Sequence, residues 1–495
     1  MQTIKALILL CVVSFLSASC FEDNDDNQIS ASSINDFVWK GMNTFYLYKD
    51  NIPNLANDRF LSNGDYANYL NTFSKPEDLF ESLIYQRETV DKYSWIVDDY
   101  IALEQFFSGI STSNGMEFRL FLQPNSTTLL IGIVRLVLPG SDADNKGLKR
   151  GDIFYAIDGI PLTTNNYSSL LSTDLYSVNF AVYNSNNTTE TTDDTIESNN
   201  ESVSLSKLQY SENPIFNTKI INVKGQNVGY LMYNGFTSNY DSQLNSVFGE
   251  FKANNVQHLV LDLRYNPGGS VNSAILLSSM ITGQFNGEIF STEQWNSEFQ
   301  AAFENENPEL LINRFTNNIG GNALNNLNLQ KVYILATNAS ASASELVINS
   351  LDPYIDVIHI GDNTTGKYQA STTLYDSDDF RREGANPNHT YAMQPLIFKS
   401  LNKVGNTDYN TGLTPDIPLN ESFLNLGIIG DENETLLAAA LAVIEGSIGK
   451  LDAIKSKSQQ TLNSIMDSNN FEPHTNEMHV DKKLPPNVIR KSFNE

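Results

Sequence analysis

The turn Ala339-Ser340-Ala341-Ser342-Ala343-Ser344-Glu345 is the best-placed stretch of this sequence to carry a nucleophile. It follows an apolar run, Val332–Ala336, and precedes a helical pattern, Glu345–Leu351. Small residues let a strand turn sharply into a helix. They also leave unpaired backbone N–H groups at the helix start, where an oxyanion can bind. A serine there is a candidate nucleophile, and it is also a candidate N-cap, because serine followed by an acid is how many helices begin. Its hydroxyl needs a base. Lysine can be that base only when neutral, and its ordinary pKa of about 10.4 must then be lowered by burial or a positive field. Lys367 follows an apolar run, Val357–Ile360, and a glycine, Gly366, which is a suitable place for desolvation. Taken alone, it reads more simply as a solvent-facing loop lysine. No ionised acid is expected against its amine, because such a neighbour would raise the pKa. Of the five histidines, His258 and His359 fall on strands and read as structural, whereas His389, His474 and His479 fall in loop and tail. There is no Gly-x-Ser-x-Gly elbow and no His-Glu-x-x-His motif, so neither a histidine triad nor a metal is expected at the reaction centre.

The elements around these residues fall into blocks. Residues 28–107 predict a helical domain: Ile34, Phe37, Val38, Met42, Phe45 and Tyr46 recur at helical spacing, and Pro76-Glu77-Asp78 opens a second helix. Its aromatics, Trp39 and Trp95 among them, read as core without chemistry. Residues 108–222 predict a β domain, with strands over Glu117–Leu122, Thr127–Leu138 and Ile153–Ile157, and a helix near Tyr167–Leu171. Asn184–Glu201 reads as a solvated loop between strands. Residues 223–450 alternate strand and helix: Val228–Tyr233, Ser238–Asn254, His258–Leu263, Val271–Ile281, Val332–Ala336, Glu345–Leu351 and Val357–Ile360, then a helix around Leu436–Ile444. That order implies a mostly parallel sheet with ligands at the carboxyl ends of its strands. The loops Arg264–Gly269 and Asn338–Ser344 lie at those ends. Residues 451–495 form a polar tail with weak helical patterning over Ile454–Ile465.

These motifs, taken together, resemble the C-terminal processing, or tail-specific, serine peptidases. The "SASASE" turn is similar to that family's nucleophile motif, whose middle serine falls on Ser342. The family's lysine, in a Gly-Lys pair 25 residues on, falls on Lys367; Thr364 and Glu345 match its threonine and glutamate. "LDLRYNPGG", Leu261–Gly269, resembles its second signature. The resemblance implies a Ser342–Lys367 dyad with an oxyanion hole made by Ala343 and by Gly268 or Gly269. Glu345, Thr364, Arg264 and Gln369 are implied as supporting residues. Ser371 stands where many members have glutamine, and Asp362-Asn363 replaces an acid-proline pair. "PGSDADNKGLKRGD" and "DGIPL" resemble a bacterial protease PDZ domain, which implies that Gly115, Met116, Glu117 and Phe118 form a loop receiving a peptide C-terminus. The fold class implied is multidomain α+β: an N-terminal helical domain, a PDZ-like β domain and an α/β, crotonase/ClpP-like, serine peptidase domain. No cofactor is implied.

Composition bounds the rest. The chain has 495 residues and a formal charge of −27, which argues against a nucleic-acid partner. Its two cysteines, Cys11 and Cys20, exclude a disulfide framework. Residues 1–19 read as a signal peptide: Lys5, an apolar stretch Ala6–Leu16, then small residues before Cys20. Ser17-Ala18-Ser19-Cys20 resembles a lipobox, which implies lipidation at Cys20 and a membrane anchor. The acidic tether at 20–27 resembles the export tags of Bacteroidetes surface lipoproteins, so the expected location is the cell envelope, at the outer membrane. Two functions fit: a Ser–Lys endopeptidase acting on polypeptides, engaged by their C-termini, or a non-catalytic peptide-binding envelope lipoprotein on the same fold. The oligomeric state is not legible.

Overall fold

The computed structural model describes residues 31–480 except 187, 189–191, 408, 458–461 and 472–475. The signal segment, Cys20, the acidic tether and His474 lie outside the described residues. Helix α1 (Ala31–Phe45) forms where Ile34, Phe37, Val38 and Met42 line one buried stripe. Helix α2 (Pro76–Ser82) starts on a proline, whose missing N–H costs nothing in a first turn. These helices do not close a core of their own. Phe45 packs against Phe299 and Phe380, with ring centroids 5.1 and 5.4 Å away. The strand that ends the region, β1 (Trp95–Val97), pairs antiparallel with Ala392–Gln394. The helical region and the α/β region therefore share one hydrophobic core. Trp95, expected as core, lies partly exposed on this strand.

The next region is an antiparallel sheet. Its strands β2 (Met116–Leu122), β3 (Leu130–Val137) and β4 (Ile153–Ile157) are followed by a short helix α3 (Tyr167–Leu171), then β5 (Leu175–Asn184) and β6 (Thr195–Ser206). Phe118, Phe154 and Val178 fill its core. Two expectations need correction. The second half of Asn184–Glu201 is strand β6, because polar side chains suffice for an exposed edge strand whose backbone pairs with β5. Only Gly115, at φ +79°, is a turn, and Met116–Phe118 already belong to β2.

The α/β region is built on the strand order β7 (Ile215–Val223), β8 (Gln226–Tyr233), β9 (His258–Asp262), β11 (Lys331–Ala336), β12 (Asp356–Gly361), Ile417–Pro418. Only β7–β8 is antiparallel. Helix α4 (Asp241–Ala253) joins β8 to β9. The short strand β10 (Gly269–Ser270) and helix α5 (Val271–Thr282) follow β9, and helix α6 (Ala343–Leu351) follows β11. Alternate strand residues face opposite layers: Leu231, Leu261 and Ile334 meet α4, α5 and α6, while Tyr230, Val260 and Leu335 meet helix α7 (Thr435–Glu445). Burial on both faces explains the unbroken apolar runs. A second sheet carries β10, β13 (Gln369–Ser371) and β14 (Leu396–Leu401).

The described residues of the tail carry strands that its pattern does not suggest. Helix α8 (Ile448–Lys457) ends well before Ile465, which lies instead on strand β15 (Ser464–Asp467). β15 pairs antiparallel with β2, and β16 (Met478–His479) enters the second sheet between β10 and β13. Helical periodicity cannot foresee a strand whose partner is remote in sequence.

Because the helical region shares its core, Phe45→Ala is expected to cost about 3–5 kcal/mol and to shift one unfolding transition of the whole chain. A separate early transition of the first hundred or so residues in calorimetry would show that they fold alone.

Candidate active site

β9 and β11 are adjacent and parallel, with Val260 opposite Tyr333, so the loops at their carboxyl ends emerge side by side. Three short bonds lock those loops together. Thr337 Oγ1 donates to the Arg264 carbonyl at 2.5 Å, Ser340 Oγ to Leu263 at 2.7 Å, and Ser344 Oγ to Asn266 at 3.0 Å. The three serines of the turn thus have different tasks. The outer two bind the neighbouring loop. Ser342 Oγ faces the first turn of α6 without completing a hydrogen bond, although the side chain is fully buried. Ser342 also holds φ at +63°, a left-handed conformation that costs energy for a residue with a Cβ.

Glu345, one turn into α6, connects this serine to the lysine. Its Oε2 accepts the Ser342 N–H at 2.7 Å and the Lys367 N–H at 2.8 Å. Its Oε1 accepts the Gly366 N–H at 2.6 Å and the Thr364 hydroxyl at 2.5 Å. Burial pushes this carboxyl up to about 7, against the pull of its four donors. Lys367 is fully buried, and desolvation lowers its pKa. Its Nζ lies 5.0 Å from the centroid of the Tyr93 ring and makes no hydrogen bond, to Ser342 or to any other group. The expectation of an amine with no acid beside it fails: Glu477 Oε2 lies 3.5 Å from Nζ and pulls the pKa back up. Glu477 comes from the tail, 110 residues beyond the lysine, so no local spacing could place it.

Gly268 and Gly269 hold φ of +114° and +130° beside the serine. A Cβ on Gly268 would lie 2.6 Å from Ser342 Cβ and 2.8 Å from its Oγ, so only glycine fits. The Gly268 N–H donates to Asn266 Oδ1 at 2.9 Å, whereas the Gly269 N–H donates to the Glu477 carbonyl at 2.5 Å. Ala343 is the first helical residue of α6, where no preceding carbonyl can take its N–H. Gly268 also lines a cavity of about 190 Å³, bounded by Met116, Glu117, Phe107, Phe236 and Glu477.

Other expected residues lie further off. Arg264 points away from the serine into a buried cluster with Asp262, Glu421 and Glu434, at 2.7, 3.0 and 2.7 Å. Gln369 is turned to Tyr48, whose hydroxyl accepts its Nε2 at 3.0 Å. Met116 and Glu117 line the cavity, whereas Phe118 is buried in the core of the antiparallel sheet. Reading the sequence missed Tyr93, Trp95, Ser371 and Glu477. Ser371 alone had a signal, because it stands where the resemblance calls for a polar glutamine.

The chain was compared with known proteins. Residues 227–419 match the sequence model of Peptidase family S41, and residues 33–95 match that of the Peptidase S41 N-terminal domain. A protein assigned as a CtpA-like serine protease in Staphylococcus epidermidis is 27% identical over 209 residues, covering 42% of this chain and 37% of that relative's length. The chain thus spans well under half of that relative. A carboxyl-terminal-processing protease of Picosynechococcus is 25% identical over 374 residues, covering 72% of this chain and 78% of the relative. A solved candidate S41 protease of Bacteroides fragilis aligns with TM-score 0.62 and 26% identity over 83% of this chain and 97% of that one.

Glu345 supplies two expected outcomes. Its raised pKa means that it holds its proton more tightly folded than unfolded. Its contribution to stability is therefore full below 4.5 and is lost as pH rises through about 7. Urea midpoints should fall with pH across this window in the wild type and fall less in Glu345→Gln; equal slopes would remove Glu345 as the source. The variant also sets an amide NH2 against backbone donors and is expected to lose about 1–3 kcal/mol.

Proposed function

This chain belongs to peptidase family S41, and we propose that it is a serine peptidase whose nucleophile is Ser342 and whose base is Lys367. The observation that carries this reading is the shared carboxylate of Glu345, which fixes a strained, buried, unpartnered hydroxyl and a buried, depressed lysine to one point. Neutral Lys367 would take the Ser342 proton as Oγ attacks a peptide carbonyl. The oxyanion would be met by the N–H groups of Ala343 and Gly269. Gly269 is the glycine assigned because its N–H already holds a peptide carbonyl, whereas that of Gly268 is turned to Asn266. The lysine would return its proton to the leaving amine, and water would release the acyl group from Ser342.

The substrate class proposed is polypeptide. The antiparallel sheet is proposed as a PDZ-like domain that engages a chain terminus near Gly115 and Met116. Its support is the outer edge of β2, where β15 shows that an extended segment can pair, and the cavity that both Met116 and Gly268 line. The crotonase/ClpP-like description of the α/β region belongs to the same proposal and is supported by its parallel order and carboxyl-edge loops. We also propose export and lipid anchoring at Cys20, supported by the sequence pattern of residues 1–20. Among the described residues no helix is long and apolar enough to cross a membrane.

A fluorophosphonate probe tests the reaction centre. Wild type should be acylated, Ser342→Ala should not, and Lys367→Ala should be slowed by about 10²-fold or more. The labelling rate should climb with pH along a titration centred below the ordinary lysine value of 10.5. Labelling that survives Ser342→Ala would place the nucleophile elsewhere. A wild type that never labels would favour the binding lipoprotein.

A further inference from the structure

The tail segment Asn476–Val480 is part of the cleft wall. Strand β16 lies between β10 and β13 and parallel to both, with Met478 opposite Gly269 and His479 opposite Ser371. The Val480 N–H donates to the Ser371 carbonyl at 3.1 Å, and Met478 is completely buried. The Glu477 carbonyl oxygen sits 2.4 Å from the point where a Cβ on Gly268 would lie, and Ser342 Oγ sits 2.8 Å from the same point. The carbonyl and the hydroxyl therefore face one small space.

The side chain of Glu477 is held as closely as its backbone. Oε1 accepts Trp95 Nε1–H at 2.6 Å, Oε2 accepts Ser371 Oγ–H at 2.8 Å, and Lys367 Nζ lies 3.5 Å from Oε2. These two donors and the neighbouring ammonium come from three separate parts of the chain: β1, β13 and the loop before β13. A carboxylate that is 5% exposed survives burial only with such partners. Upstream, the same tail runs along β2. There Asp467 pairs with Arg119 and Arg135 at 2.8 and 2.5 Å, and Phe471 meets the rings of Phe118 and Tyr167. One segment thus lies on both surfaces that a bound polypeptide would use.

We infer that Trp95, Ser371 and Lys367 form a pocket for an acidic side chain of an extended polypeptide bound by strand addition between β10 and β13, and that Glu477 fills this pocket as a tethered competitor. The competition rests on the peptidase reading; the pocket does not. The carboxylate beside Lys367 favours the charged amine, which cannot accept the Ser342 proton. The tail therefore occupies the cleft in a form that the dyad does not cleave. Trp95 and Ser371 read charge at one position of the bound strand, and a polypeptide that places an acid there is held without being cleaved.

The test uses the full-length chain and a fluorescein-tagged peptide copying residues 476–480. Met478→Asp puts a charge at a fully buried position and should release β16. Built on Ser342→Ala, it reports binding without hydrolysis. Fluorescence anisotropy should show the peptide binding to this double variant, and a version with glutamine in place of the glutamate binding roughly tenfold more weakly. Trp95→Phe should erase most of that difference, and the Ser342→Ala chain with an intact tail should bind neither peptide. With Ser342 present, Glu477→Gln, which keeps side-chain shape, should raise the fluorophosphonate labelling rate several-fold. Equal binding of the two peptides, or equal binding with and without Met478→Asp, would overturn the pocket. A Glu477→Gln chain labelled no faster than wild type would overturn the competition. Loss of all labelling with peptide discrimination intact would sink the dyad and leave the pocket standing.

Discussion

The buried carboxylate of Glu345 is the constraint on which the site depends. It accepts four hydrogen bonds, three from backbone N–H groups and one from a hydroxyl. Two of those amides belong to Ser342 and Lys367 themselves. A side chain that only capped α6 would order the helix start and nothing else. This one also fixes the loop that carries the lysine, and so ties two remote segments to a single carboxyl group. Gly366 completes the arrangement, since a Cβ there would meet the Asn410 carbonyl at 2.5 Å. The left-handed backbone of Ser342 persists because this bonding over-determines it.

A second buried network joins the antiparallel sheet to the glycine loop. Arg135 on β3 pairs with Glu117 at 3.0 Å and lies 4.6 Å from the centroid of the Tyr265 ring. The Tyr265 hydroxyl accepts from Arg150 at 2.7 Å and donates to Glu421, which also pairs with Arg264. Tyr265 and Arg264 begin the loop that ends at Gly268 and Gly269. Removing one member of such a cluster leaves an uncompensated buried charge, which is far costlier than never having built it. The network therefore fixes the glycine loop against the neighbouring sheet as well as against β11. The tail joins the network through Asp467, so the acids at 467 and 477 tie the tail to both regions.

Much of the architecture was legible because its signals are local. Leu259–Leu261 and Val332–Ala336 are unbroken apolar runs, as a strand covered on both faces requires. The small-residue turn before α6 announced a sharp strand-to-helix junction, and Pro76 announced a helix start. The failures share one cause. Thr195–Glu201 is polar and still forms a strand, because β5 supplies the hydrogen bonds. Ile465 follows a helical pattern and still lies on a strand, because β2 supplies an edge. Trp95 reads as core by its chemistry, yet its indole N–H serves a carboxylate from the far end of the chain.

The sequence by itself determined which residues could react, the order of the elements that carry them, and the alternation of strand and helix that sets their loops at one edge of a sheet. These follow from side-chain chemistry and from periods of two to four residues, which need no partner. Tertiary structure alone decided what each of the hydroxyls of Ser340, Ser342 and Ser344 contacts. Each of the three follows an alanine, and only packing turns the outer two hydroxyls onto the loop and leaves the middle one unengaged. It also decided what stands beside Lys367. The protonation of a buried amine is set by every charge within a few ångströms, and the nearest acid arrives from 110 residues away.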